Sequence, residues 1–512
     1  MRTLRFYPAR SEISLSIKAA AIILATLVIY YQDLTMVGNE ALRSEFMSHI
    51  LAVPFLLSYI LYRKRKMLMG VIPFEATTLK KKIVFTREII GVILCLLAFL
   101  LYWHGSHTFH PLEYHMASLP LFVAGCTLII FNTSTLKVLA FPIAFLFFLT
   151  PPPLEIVYVA GATLSTVSSQ AAYEVLKVIG LPVNLATQYE TPVIILEKSG
   201  GTPLTFAIDI ACAGIYSLIG FTIFAVFAAY IARGVTWKKA TMFLSGFPSI
   251  YALNITRIII IVLIGYQYGM ETAMHAFHLF GGWILIFLGT LLLICLSEKI
   301  WKIQIFTKTA LCPKCNQNLE KKEKFCSTCG RLLKITDIKI SKRDLCKISA
   351  LLLSISLIML LEVPVFALTE GPAEVITQSP GGEQASTQIL PEIPNYTLQF
   401  IYRDTRFEEL AKQDASLIYA YIPTNKLKTK IWVTIEVDDT QSSLHRWEVC
   451  LIRTPQVRGY PPRVTQLDLR DVQLSQNPPV IGRYFAFQEI KSNITQVILY
   501  WYEKAIFNTG SG

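Results

Sequence analysis

The sequence predicts a mainly α fold: a polytopic helical membrane bundle of about eight spans plus a ninth, a small cytoplasmic zinc ribbon, and a β-rich or α+β external C-terminal domain. Three observations predict it. Of 512 residues, 53% are hydrophobic and only 16% charged, against about 25% charged in ordinary soluble proteins. A wholly soluble, disordered or fibrous chain is thereby excluded. Apolar runs long enough to cross about 30 Å of hydrocarbon recur along the chain. A basic segment with four clustered cysteines interrupts them, and a polar tail with strand-like alternation follows them.

The spans are read at about 15–33, 46–62, 88–104, 118–134, 137–151, 208–231, 241–264, 276–297 and 347–367. The fifth ends at Pro151-Pro152-Pro153, where a helix must stop because proline donates no N–H and its ring clashes with the preceding turn. Residues 155–180, rich in Ala, Gly, Ser and Thr, fit either a packed helix or a re-entrant element. The first run lacks a small-residue cleavage site and reads as a retained span. Sidedness comes from the loops. Residues 63–87 hold Arg63, Lys64, Arg65, Lys66, Lys80, Lys81, Lys82 and Arg87, and 232–240 hold Arg233, Lys238 and Lys239, whereas 104–117 and 265–275 contain no Lys or Arg. Because cytoplasmic loops carry the excess of basic residues, the N-terminus and 298–346 are expected inside a cell (plasma) membrane and 368–512 outside it. The net charge of +12 is accounted for by this bias, so nucleic acid is not an expected partner.

In the cytoplasmic segment, Cys312-Pro-Lys-Cys315 and Cys326-Ser-Thr-Cys329 form two CxxC knuckles ten residues apart. Four thiolates on two tight turns suit tetrahedral zinc with no open position, hence a structural metal at 308–335. Reduced thiols or a redox pair are the alternatives. The remaining cysteines, Cys95, Cys126, Cys212, Cys295, Cys346 and Cys450, show no disulfide framework. Outside, 368–394 is rich in Pro, Gly, Gln, Glu, Ser and Thr and reads as a linker. From 395 to 512, "KIWVTIEVDD", "RWEVCLIRT" and "QVILYWYEKA" carry the β-branched and aromatic residues of strands. Asn395-Tyr-Thr and Asn493-Ile-Thr are external glycosylation sequons.

Ionisable and nucleophilic residues are costly within spans and mark functional candidates. Cys212, in "IDIACAGIYSLIGF", opens the sixth expected span. Arg257, in "ALNITRIIII", lies in the outer half of the seventh, and His278, in "AFHLFGGW", opens the eighth. With the helices antiparallel, all three fall at similar depth on the external side. A thiol is a weak nucleophile until deprotonated, and a neighbouring cation or base activates it. A guanidinium keeps its proton and stabilises a thiolate or an oxyanion, and an imidazole exchanges a proton near neutral pH. Singly, each has a plainer reading: a membrane cysteine as a small apolar residue, a lone arginine snorkelling, a boundary histidine facing headgroups.

These residues also carry a family resemblance. The order "ACAGI", "NITRI", "FHLFGGW" resembles the exosortase/archaeosortase family of membrane cysteine proteases and transpeptidases. That family's pattern is a Cys followed by a small residue and Gly, an Arg after Asn in the next helix, and then His or Arg. Its H-x-x-x-G form is matched by His278 and Gly282. The resemblance covers roughly 15–297, within a core taken as 1–300, and leaves out the zinc ribbon, the span at 347–367 and the tail. It implies Cys212 as the nucleophile, Arg257 as its electrostatic partner and His278 as the third catalytic member, with no cofactor needed for catalysis. It implies as partners exported proteins ending in a short motif, a transmembrane helix and a basic cluster, and possibly a lipid acceptor. Ala213 departs from the family by standing where Ser is often found.

Other residues have competing readings. Asp209 precedes Cys212 by three positions and orders the site or caps the span; Tyr216 lines the pocket or packs; His275 is second choice to His278, lacking the glycine. His104, His107, His110, His115 and Glu113 cluster in one loop, without regular metal spacing, and fit headgroup contacts better than a metal site. A non-enzymatic transporter or assembly scaffold for surface polymer or protein export is the alternative function, and a membrane glycosyltransferase a third. The first lacks an evident inverted repeat, and the second lacks clustered acidic residues in an external loop.

Overall fold

The computed structural model describes residues 10–43, 47–71, 81–188, 191–197, 203–208, 213–232, 235–279, 282–300, 302, 342–360, 369–377, 385–387, 390, 392–405, 407–408, 413–424, 429–438, 444, 446–453, 463–476 and 479–508. The chain divides into two compact units. One comprises Met1–Ser106 with Pro111–Val365, and the other His107–His110 with Phe366–Gly512. The zinc-ribbon cysteines Cys312, Cys315, Cys326 and Cys329 lie outside the described residues.

The first unit is helical. It begins with α1 (Arg10–Ile29) and α2 (Tyr31–Arg43), which are bent by 73° across one residue. The first expected span, 15–33, is therefore interrupted by a sharp bend. Tyr30 at the bend is buried, its hydroxyl sharing a 2.7 Å hydrogen bond with Ser118. Then follow α3 (Ala52–Val71), α4 (Lys81–Gly105), α5 (Pro111–Ile130), α6 (Thr133–Phe145) and α7 (Leu154–Val178). Local signals set the ends. Pro111 opens α5 at the position where its missing N–H goes unneeded. Asn132 caps α6 by accepting from the Thr135 N–H at 2.6 Å. α7 closes on Gly180 at φ +89°, with Gly180 N–H bonding Lys177 and Leu181 N–H bonding Leu176, the paired bonds of a left-handed C-terminal cap. Residues 155–180, open between helix and re-entrant element in the sequence, are thus one helix.

Between α7 and the next helix the chain forms an antiparallel sheet, β1 (Val183–Gln188), β2 (Thr191–Leu196) and β3 (Leu204–Ala207), with β2 central and buried. After it come α8 (Ile215–Ile231), α9 (Thr236–Tyr268), α10 (Met270–Leu279), α11 (Gly282–Lys299) and α12 (Lys342–Leu360). Among the described residues, three helical stretches are long and apolar enough to cross a membrane: Phe85–Gly105, Pro111–Ile130 and Thr236–Tyr268. The bent α1–α2 pair makes a fourth. Elsewhere the helices at expected spans are shorter, more polar or partly described, so these figures support a membrane protein and not a count of nine.

Helices in lipid associate by packing, because the tails are as apolar as leucine. α4 and α5 meet closely at Gly91 and Gly125, where a Cβ on Gly125 would stand 2.7 Å from the Gly91 carbonyl. The salt-bridged Lys347 of α12 reaches Glu88 of α4 and the Ile129 carbonyl of α5.

The second unit is β-rich. β4 (Thr369–Thr377) pairs with β5 (Ala385–Thr387) and, in parallel, with the last strand β12 (Glu503–Asn508). Thus part of the segment read as a linker is strand. Two three-stranded meanders make up the rest: β6 (Tyr396–Arg403), β7 (Ala415–Pro423) and β8 (Ile431–Val437), then β9 (Val464–Gln476), β10 (Pro479–Glu489) and β11 (Thr495–Tyr500). Central β7 is almost continuously buried, which is why it reads "ASLIYAYIP" without alternation. Both sequon asparagines, Asn395 and Asn493, are exposed at turn positions with φ of 67° and 56°. Phe109 packs with Ile481, Tyr500 and Tyr502, and Arg483 lies 4.8 Å over its ring.

Candidate active site

The three candidate residues belong to three arms resting on one apolar core. Ala172 and Leu176 of α7, Val183, Ile194, Leu196 and Phe206 of the sheet, Ile208, Ile258, Ile261 and Val262 of α9, and Ala273 of α10 form a single buried cluster. The first arm is the chain running out of β3. Ile208, the last described residue before Cys212, is held twice: its N–H donates to the Pro192 carbonyl at 2.9 Å, and its carbonyl accepts from Ser165 Oγ. The second arm is α9 with Arg257, and the third is α10, which packs on α9 and carries His278 near its end.

Cys212 and Asp209 lie outside the described residues, and His278 is described in its backbone alone. The residues around them set the arrangement. Gly214, two positions after Cys212, caps α8 at φ +82°, ψ +9°, a left-handed conformation that only a side-chain-free residue adopts without strain. It lies directly against Asn254: a Cβ there would stand 2.6 to 2.9 Å from the Asn254 amide. Asn254 precedes Arg257 by three residues, on the same flank of α9. Both are buried, Arg257 with 7% of its surface exposed. Gly214, two residues after Cys212, therefore abuts the α9 flank that carries Asn254 and, one turn on, Arg257. On the other side, Ala273 of α10 approaches Gly265 of α9, four residues beyond Ile261, alongside Phe206 of β3.

Two expected positions shift in the structure. α8 begins at Ile215, so Cys212 precedes the helix in the chain, after a sheet that the sequence did not reveal. α9 continues to Tyr268, which puts Arg257 eleven residues from its end, about 16 Å at 1.5 Å per residue. His278 stands near the end of α10 (Met270–Leu279), and residues 280 and 281, between it and α11, lie outside the described residues. Tyr216 packs into the core shared by α1, α4 and α5, the packing alternative for that residue. His275 on α10 is exposed.

A buried guanidinium is a strong fixed charge, because a weakly polar interior screens it less than water does. A thiol brought beside it is ionised more readily. The α8 N-terminus, three residues after Cys212, contributes N–H groups unsatisfied within the helix, with their partial positive charge. The arrangement suits a thiolate nucleophile and the oxyanion it generates.

A second polar constellation escaped the sequence reading. His115 Nδ1 lies 2.8 Å from Asp33 Oδ1, His115 Nε2 lies 3.0 Å from Ser106 Oγ, and the Tyr102 hydroxyl donates to Asp33 Oδ2 at 3.0 Å. Asp33 and His115 are fully buried, and Tyr102 stacks on the imidazole at 3.8 Å. The connectivity is that of a Ser-His-Asp relay, but Ser106 is itself buried and Gly105 closes on the ring, where a Cβ would meet His115 Cδ2 at 3.0 Å. The trio is a clamp joining α2, α4 and α5. His115 is thereby withdrawn from the histidine loop, and among the described residues no group of three or more His, Cys, Asp or Glu side chains is arranged to hold a metal ion.

Compared with known proteins, residues 41–295 match the family model described as transmembrane exosortase. Neither the curated proteins nor the solved structures compared with the chain give a match.

Proposed function

We propose, from the membership of residues 41–295 in the transmembrane exosortase family, a family of membrane sorting proteases and transpeptidases, that this chain cleaves C-terminal sorting signals through a cysteine acyl-enzyme. Cys212 is the nucleophile. Its thiolate attacks the scissile carbonyl carbon, and Arg257 stabilises first the thiolate and then the oxyanion of the tetrahedral intermediate. His278 gives a proton to the departing amine, the C–N bond breaks, and a thioester remains on Cys212. An external acceptor nucleophile, a lipid among the candidates, then takes the acyl group and frees the thiol. The substrates are exported proteins ending in a short motif, a transmembrane helix and a basic cluster.

The observation that supports this reading is the contact of Gly214, two residues after Cys212, with Asn254, one helical turn before Arg257 on α9. The grouping of His107–His110 with 366–512 in one unit further supports an external loop and an external tail on a shared side of the plasma membrane. In the cytoplasmic segment, Cys312, Cys315, Cys326 and Cys329 would hold one structural zinc, which organises a fold too small for its own core. Metal analysis of the purified chain is expected to give one zinc per chain, lost in a Cys312→Ser/Cys315→Ser variant; equal zinc in both proteins overturns the site.

The function is tested with Cys212→Ala in cells that express an anchored precursor. The precursor is expected to accumulate with its C-terminal helix intact while the variant inserts in the membrane as before. Unaltered processing removes the enzyme reading in favour of a transporter or scaffold.

A further inference from the structure

We propose that α7 is the frame that fixes the nucleophile arm relative to the arginine helix, and that Ser165 is the positioning residue for Cys212. The inference rests on Cys212 being the nucleophile. Ser165 is fully buried, and its hydroxyl donates to the carbonyl of Ile208, four residues ahead of Cys212. The same Ile208 donates its N–H to Pro192 of β2. Both backbone groups of the last residue before the site loop are therefore held, one by the sheet and one by α7.

One turn along α7, on the same side of the helix, Ser168 donates to the Tyr251 hydroxyl at 3.0 Å. That hydroxyl donates in turn to the Leu164 carbonyl of α7 at 3.3 Å. Tyr251 is on α9, three residues before Asn254 and six before Arg257. Neighbouring serines of one helix thus grip the arm leading to Cys212 and the helix bearing Arg257. The apolar core beneath them, Ala172 and Leu176 against Ile258, Ile261 and Phe206, supplies adhesion but no register, because apolar packing is non-directional. The hydrogen bonds supply the register. A thiol and a guanidinium cooperate over a few ångströms, so a slip of one arm separates them without unfolding the core.

The test uses the full-length chain in its membrane, with two readouts: processing of an anchored precursor, and the pH dependence of Cys212 alkylation by iodoacetamide, followed on its own peptide by mass spectrometry. Ser165→Ala is expected to slow processing about tenfold to a hundredfold, the usual cost of an ångström-scale misplacement. It is also expected to move the alkylation midpoint upward, toward that of an ordinary cysteine at about 8.5. Ser169→Ala is the control, since Ser169 is equally buried on α7 but bonds the Thr166 carbonyl within its own helix; it is expected to leave both readouts in place. Wild-type processing and midpoint in Ser165→Ala, in a background where Cys212→Ala abolishes processing, overturn the frame alone. Equal slowing by Ser165→Ala and Ser169→Ala also overturns it, in favour of general packing. Persistence of processing in Cys212→Ala overturns the nucleophile instead. Should Ser165→Ala fail to accumulate, Tyr251→Phe decides through the other grip: slowed processing with a raised midpoint upholds the frame, and unchanged values overturn it.

Discussion

His110 shows how one side chain ties a local environment to a measurable property. Within the β-rich unit its Nε2 lies 3.4 Å from Arg446 Nη1. Burial, and then the charges of Arg446 and Arg483, push its pKa down from 6.5 to about 2. Nearby, Glu448 accepts from Arg483 at 3.2 Å and from the Tyr500 hydroxyl at 2.5 Å, and Asp471 accepts from Arg483 at 2.9 Å and from the Phe109 N–H at 3.1 Å. A histidine whose folded pKa is depressed contributes stability at pH values above its ordinary pKa. Below about 6.5 the unfolded form takes up a proton that the folded form refuses, and stability falls with pH toward about 2. The protection of the β10 and β11 amides, taken relative to the intrinsic exchange rate at each pH, is therefore expected to weaken as pH drops from 7.5 to 5, and His110→Asn to flatten that dependence. An equal loss of protection in His110→Asn would discard the histidine as the cause. Nothing in the loop "HGSHTFHPLEYH" marks His110 as different from His107 or His115, because burial is a property of what packs around a residue.

At the scale of elements, the buried Asp33–His115–Ser106 trio fixes three helices at once. A carboxyl group deep in an apolar bundle is tolerated because His115 and Tyr102 hydrogen-bond it. His115→Leu leaves that buried group short of a partner and is expected to cost about 1–3 kcal/mol. Asp33→Leu/His115→Leu is expected to cost clearly less than the two single variants summed, since neither partner is left unsatisfied. Thermal unfolding of the detergent-solubilised variants measures this, and strict additivity of the two losses would falsify the coupling. Elements also mark where the sequence was readable. The Pro151-Pro152-Pro153 stop, the apolar runs of α4, α5 and α9 and the strand patterns of "KIWVTIEVDD" and "QVILYWYEKA" were legible, since each rests on local propensity. "RWEVCLIRT", equally rich in β-branched and aromatic residues, instead holds a short helical turn at Val449–Arg453. The sheet β1–β3 was not. Its buried β2, "TPVIIL", is a short apolar run that periodicity cannot assign.

For the whole molecule, the division into units follows composition only in part. Residues 366–512 were separable by their polar, β-branched character, but the inclusion of His107–His110 with them links positions far apart in the chain, and no local pattern encodes that. The strand β4 likewise emerged from a segment composed like a linker, because pairing with β12 supplies what its own residues lack. The apolar core beneath the candidate site is of the same kind, since it collects single residues from α7, the sheet, α9 and α10.

Alone, the sequence determined the membrane class, the stop and cap signals of the helices, the β character of the tail, and the order of Cys212, Arg257 and His278 along the chain. Each follows from properties that a residue carries with its immediate neighbours: hydropathy, backbone freedom, spacing. Tertiary structure decided that Gly214 lies on Asn254, that α7 grips Ile208 and Tyr251, and that Asp33 finds His115 across more than eighty residues. These are encounters between distant segments. They are settled by which packing of the whole chain satisfies its buried polar groups and fills its interior together, and that choice is made by all the residues at once.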